Sequence, residues 1–163
     1  MLLFTNEQDE IAKAAKGYID ASPWAFLATS YGGKPFIRTV SPFALKGLDV
    51  YFSAMKKSAK MTQLSENPLV TLLFQHEGQE QSKFKNVTLF GRAAVVEKES
   101  ELVKACSLLG EKEPWFKNLP ESADRANIAI IKIAPEKLQF LDFSRGQGKD
   151  AVAELVFDNS GNL

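Results

Sequence analysis

The sequence predicts a mainly β fold with accompanying helices: an antiparallel barrel of about six strands, with three helices outside it. Three observations predict this. After Trp24 the apolar pattern leaves a helical period for a strand-like one. Strand-like segments come in pairs joined by turns such as Tyr31-Gly32-Gly33-Lys34 and Lys46-Gly47, as hairpins do. Alternating strand and helix units, which would build a doubly wound parallel sheet, are not the dominant pattern.

Taken in order, Thr5 and Gln8 fit a capping box, and Glu7 and Asp9 put negative charge in a first helical turn. Ile11, Ala15, Tyr18 and Ile19 then share one helical face, and Ser22-Pro23 ends the helix. Residues 24–29 form a short apolar run, read as a buried strand. In the next strand Phe36, Arg38 and Val40 alternate with Ile37, Thr39 and Ser41. Leu48, Val50 and Phe52 share a face of a third strand, which ends at Ser53. Residues 58–65 read as a short helix with Met61 and Leu64 inward, stopped by Asn67-Pro68. Residues 69–74 read as a strand and residues 75–85 as an exposed connection. Residues 86–97 read as a long strand, in which Gly91 marks a bulge or a close backbone approach. Residues 100–109 are helical, with Leu102, Cys106 and Leu109 on one face. Residues 127–133 and 138–143 read as strands separated by Ala134-Pro135. The tail beyond Arg145 carries Gly146, Gly148 and Gly161 and is expected to be partly mobile.

The chain has 163 residues, which fits a single domain, 1–163, able to bury a core without disulfides. Lys and Arg number 20 and Asp and Glu number 20, so the formal net charge is zero. Nucleic acid and acidic membranes both reward a basic excess, so neither is expected as partner. Zero net charge does little to oppose self-association. With one cysteine, Cys106, and one histidine, His76, no Cys/His zinc site is expected. The first residues lack a basic n-region, and no apolar run approaches the roughly 18 residues of a membrane span. A soluble, cytoplasmic protein is the expectation.

The stretch from 36 to 68 concentrates the chemistry. Arg38 lies inside a strand, Ser53 ends the next, and Lys57, Ser58 and Lys60 open a short helix. A helix N-terminus offers unpaired N–H groups and partial positive charge, and a hydroxyl with two ammonium groups placed there favours a phosphate. Arg38 could reach the same anion with two parallel hydrogen bonds. Solvated surface lysines and a snorkelling arginine explain the same spacing, so both readings stand at this level.

Several motifs extend the reading: Phe26-Leu27-Ala28-Thr29, Pro35-Phe36-Ile37-Arg38, Val50-Tyr51-Phe52-Ser53, Lys57-Ser58-Ala59-Lys60, Asn67-Pro68, Val70 to Phe74, and Asn86 to Ala93 around Gly91. Their order and spacing over about residues 20 to 97 resemble the pyridoxamine 5′-phosphate oxidase-like family. The resemblance implies a six-stranded antiparallel split β-barrel flanked by helices, with FMN bound between the two subunits of a homodimer. It implies that Arg38, Ser58 and Lys60 bind the flavin phosphate, with Lys57 as an extra candidate. Thr39, Val40 and Ser41 would pass their backbone beside the ring, and Ser53 with Ala54 matches a pair at the next strand's end. Asn86 stands where the oxidase has a glutamine that reaches FMN from the partner subunit.

The departures set the expected activity. Phe43 stands where the oxidase has a lysine for its substrate's phosphate, and a phenyl ring cannot bind phosphate. The C-terminal substrate motif is replaced by Phe140, Phe143 and Arg145. The expectation is therefore an FMN-dependent oxidoreductase or flavin reductase acting on a small organic substrate, not vitamin B6 oxidation; no general acid or base stands out. A non-catalytic flavin-binding or sensor protein and a haem-binding split barrel are the alternatives. The last would use His76, otherwise read as an exposed loop histidine. Cys106 reads as core, and Trp115 as a packing residue more than a flavin cover.

Overall fold

The capping box at Thr5 forms as the sequence predicts. The Gln8 N–H donates to Thr5 Oγ1 at 3.3 Å, and the Thr5 N–H donates to Gln8 Oε1 at 2.9 Å. Helix α1 (Asn6–Asp20) follows and buries Ala15 and Ile19. The structure is a computed structural model that describes residues 5–158.

Among the described residues eight strands make one sheet: β1 (Ala25–Tyr31), β2 (Lys34–Val40), β3 (Phe43–Lys46), β4 (Asp49–Met55), β5 (Leu69–Gln75), β6 (Lys85–Val95), β7 (Ile128–Asp142) and β8 (Val152–Val156). Their order is β2-β1-β5-β6-β7-β4-β3, with β8 on β7, and each pairing is antiparallel. Helix α2 (Ala59–Glu66) links β4 to β5, and helix α3 (Glu99–Leu109) follows β6. The antiparallel barrel with outlying helices is thus the architecture, with more strands than the six expected.

The strand count departs from the reading at three places. β3 has only four residues, too few to show a period of its own. β7 is continuous through Ala134-Pro135, where two strands were expected. The register with β6 shifts between Phe90 and Gly91, which places Pro135 opposite Gly91. At such an irregularity the missing proline N–H costs no ladder bond. Gly91 is required there, because a Cβ would lie 2.5 Å from the Ala134 carbonyl oxygen. That is the close approach the sequence signals. β8 lies within the tail beyond Arg145, burying Ala153 and Leu155 on alternate residues. The last tail residues, 159–163, lie outside the described ones.

The core divides at β4. Phe52 and Val50 join Leu27, Phe43, Leu72, Phe74, Leu89, Ile133 and Leu138 inside the barrel. Tyr51 points the other way, into a second cluster with Ile130, Leu102, Cys106, Leu109, Phe116 and Leu119 under α3. Burial on both faces explains why β4 reads as a nearly unbroken apolar run. Truncating Leu72 or Phe74 to alanine would cost about 2–5 kcal/mol. No helix among the described residues is long and apolar enough to cross a membrane.

Candidate functional site

Arg38 sits opposite Leu27 in the β1–β2 hairpin, so it shares the face that Leu27 buries. A guanidinium on that face must find oxygen acceptors. It finds them where α2 packs against β1 and β4. Arg38 Nη1 donates to Thr29 Oγ1 at 2.8 Å, and Nη2 donates to Gln63 Oε1. The Thr29 hydroxyl donates to the same Gln63 oxygen at 2.7 Å. Burial lowers the Arg38 pKa from its ordinary value.

Lys60 enters the same neighbourhood from the first turn of α2. Its pKa is lowered by burial and then by the charge of Arg38, so the two cations feel one another. Its Nζ lies 5.6 Å from the centre of the Phe52 ring. Neither Arg38 nor Lys60 forms an ion pair among the described residues. The first turn of α2 holds no acidic residue.

Ser58 is the N-cap of α2, with extended backbone (φ −76°, ψ 153°), yet its side chain makes no capping bond. Its Oγ is buried and has no hydrogen-bond partner among the described residues. A buried hydroxyl left without a partner costs about 1–3 kcal/mol. Two half-buried cations without a carboxylate among the described residues, an orphaned hydroxyl and the start of α2, where the Met61 N–H is already taken by the Ser58 carbonyl at 3.0 Å but the helix end still carries partial positive charge, together make a setting for an anion. A phosphate fits these donors.

The other expected positions fall around this cluster. Ser53 is half-buried and Ala54 buried at the end of β4, before the turn in which the Ser58 N–H donates to the Met55 carbonyl at 2.9 Å. Lys57 is exposed on that turn. Val40 points inward and is buried, whereas Thr39 and Ser41 are exposed; the Ser41 hydroxyl reaches Pro23 O at 3.4 Å. Asn86 is not brought to the cluster within one chain. It lies on β6, three places from β2 in the sheet.

Sequence reasoning missed Thr29 and Gln63. Their signals were faint: a hydroxyl closing the apolar run of β1, and an amide between the inward Met61 and Leu64. His76 departs from its reading as an exposed loop residue. It stacks on Tyr18 with ring centres 3.8 Å apart, and its Nε2 lies 3.0 Å from Tyr18 O and 3.1 Å from Ser22 Oγ. The end of α1 covers it. Phe43 is buried, T-shaped against Phe74 at 5.2 Å, with Lys112 Nζ 4.2 Å from its ring centre. Cys106 is buried as expected. Trp115 stacks on Phe116 at 3.8 Å and remains half exposed.

A family model described as pyridoxamine 5′-phosphate oxidase matches residues 11–142, most of the chain and all of β1 to β7. The chain belongs to the pyridoxamine 5′-phosphate oxidase family. No curated protein matches it. Solved structures agree on the family's split barrel. A Listeria innocua protein named after pyridoxamine 5′-phosphate oxidase is 22% identical, with a TM-score of 0.65 over 80% of this chain and 98% of that one. A haem-binding protein of Mycobacterium smegmatis is 16% identical with a TM-score of 0.71; 89% of this chain is covered but only 57% of that one. An FAD-binding protein of Mesorhizobium loti is 20% identical, with a TM-score of 0.63 over 79% of this chain and 92% of that one. At these identities the likeness is one of fold.

Proposed function

We propose that this chain binds FMN by its phosphate and acts as a flavin-dependent oxidoreductase on a small organic substrate. The observation that carries the reading is the pair of half-buried cations, Arg38 and Lys60, which meet no carboxylate among the described residues, together with the Ser58 hydroxyl, buried and without a partner among those residues, at the N-cap of the helix that carries Lys60. Their summed charge matches the dianion of a phosphate monoester better than the single charges along a pyrophosphate diester. That supports FMN over FAD. Thr39, Val40, Ser41, Ser53, Ala54 and Lys57 complete the set that would hold the mononucleotide. Bound flavin would supply hydride and electron transfer, and the chain's part is to bind, orient and exclude water. The buried Phe43 leaves no cation at that position of β3, which supports a substrate other than a vitamin B6 phosphate.

Assembly as a homodimer belongs to the same proposal. The outward face of the sheet carries Ile37, 71% exposed, and Leu69, 49% exposed, beside the half-buried Phe26, Leu73 and Phe90. By register Asn86 lies on that face too, level with Gln75 and Leu141. A second copy packed there would cover the apolar stripe and bring its own Asn86 toward the site. Light scattering that finds only monomer would remove this part.

Calorimetry tests the site directly. Arg38→Ala is expected to weaken FMN binding by about 1.5–3 kcal/mol, the scale of a hydrogen bond to a charged group. Unchanged FMN affinity would refute the assigned site. Turnover with NADH or NADPH and small organic acceptors separates an oxidoreductase from a flavin-binding sensor. The haem reading has less support, because His76 is engaged by Tyr18 and Ser22 at a separate place.

A further inference from the structure

The acceptors that hold Arg38 are all neutral. Thr29 is 4% exposed and Gln63 is 6% exposed, so the arrangement is desolvated rather than a passing surface contact. Gln63 Oε1 accepts from both Thr29 Oγ1 and Arg38 Nη2, which uses both of its lone pairs. Gln63 also follows Lys60 by three residues on α2, whose N-cap is Ser58. One amide therefore ties the strand that carries Arg38 to the helix that carries the other two groups.

The chemistry of that amide matters. A carboxylate in its place would bind the guanidinium in a tighter, charge-assisted pair. It would also cancel the positive charge and place a negative oxygen beside any incoming phosphate. A neutral carbonyl oxygen fixes the guanidinium and leaves its charge available.

We propose that Gln63, supported by Thr29, is a positioning residue that holds Arg38 without neutralising it, and so sets the preference of the site for a phosphate dianion over an uncharged headgroup. This rests on the reading of the Arg38, Ser58 and Lys60 cluster as a phosphate site. A structural role alone predicts that any change at Gln63 lowers stability and binding together. The charge argument predicts opposite movements for Gln63→Glu: the ligand-free protein gains an ion pair and FMN binding falls.

The test uses the full chain, as wild type, Gln63→Glu and Thr29→Val, titrated with FMN and with riboflavin, with thermal unfolding of each ligand-free protein. Wild type is expected to bind FMN more tightly than riboflavin. Gln63→Glu is expected to shrink that preference about tenfold or more, the effect of one charge-assisted contact, with riboflavin affinity and Tm maintained or raised. Thr29→Val, which keeps its volume and removes one acceptor, is expected to shrink it about threefold. An undiminished preference in Gln63→Glu overturns the inference and leaves the phosphate site standing. Equal binding of FMN and riboflavin by wild type overturns the underlying reading instead. Should Gln63→Glu fail to fold, Thr29→Val decides: a preference equal to wild type's overturns the inference.

Discussion

The two ends of β4 carry charge in opposite ways. At its start Lys132 Nζ lies 3.3 Å from Asp49 Oδ2 and 3.0 Å from Glu101 Oε1, and the Tyr51 hydroxyl donates to Glu101 Oε1 at 2.8 Å. Beyond its far end Arg38 and Lys60 meet no carboxylate among the described residues. The two lysines register the difference. Burial works to lower the Lys132 pKa, but the Glu101 hydrogen bond and the charge of Asp49 outweigh it, and the pKa rises. Lys60 has burial and then Arg38 against it, and its pKa falls. A cluster closed on itself is part of the scaffold. One that leaves like charges together lowers the stability of the ligand-free protein, and an anionic ligand offsets the cost.

Breaking the closed cluster gives the largest expected effect. Lys132→Met leaves Asp49 and Glu101 partly buried without their cation, and should destabilise the fold by about 2 kcal/mol, below the range for fully buried pairs because the side chains keep some solvent. Chemical denaturation reads the loss, while FMN affinity is expected to hold. The open cluster should respond in the mirror image. Lys60→Met removes a cation repelled by Arg38, so ligand-free stability is expected to stay level or rise, while FMN binds about tenfold more weakly. A drop in stability as large as that of Lys132→Met would erase the distinction between the ends.

The smallest effect sharpens the comparison on the pH axis. Hydrogen bonds from Tyr51 and then Lys132 hold Glu101 below its ordinary value of 4.5. Its folded pKa is depressed, so its contribution is present above about 4.5 and is lost as pH falls through the folded pKa. Burial raises Asp49, which works in the opposite direction on acidification. Glu101→Gln should therefore flatten the acid side of the stability curve, by about 1 kcal/mol or less at this exposure. An acid limb identical to wild type would mean that another carboxylate sets it.

The sequence made legible whatever depends on near neighbours. The Thr5 capping box, the hairpin over Gly32-Gly33 and the tight passage at Gly91 each rest on a few adjacent residues. β3 and β8 escaped because segments of four and five residues show too little periodicity. The continuity of β7 is not legible, because Pro135 signals a break unless the partner strand supplies an irregularity opposite it. The packing of His76 is not legible either, because the helix that covers it lies more than fifty residues earlier in the chain.

Arg38, Ser58 and Lys60 could be named as candidates from residue type and spacing, and the antiparallel barrel from its hairpins. The sequence by itself determined these, since periodicity and turn chemistry act over a few residues. Only the tertiary structure decided that, among the described residues, no acidic side chain pairs with the two cations and the buried Ser58 hydroxyl has no partner, and that Thr29 and Gln63 grip the guanidinium. Whether a charge is satisfied depends on what packing brings within a few ångströms, and β1, β2 and α2 meet only when the sheet closes.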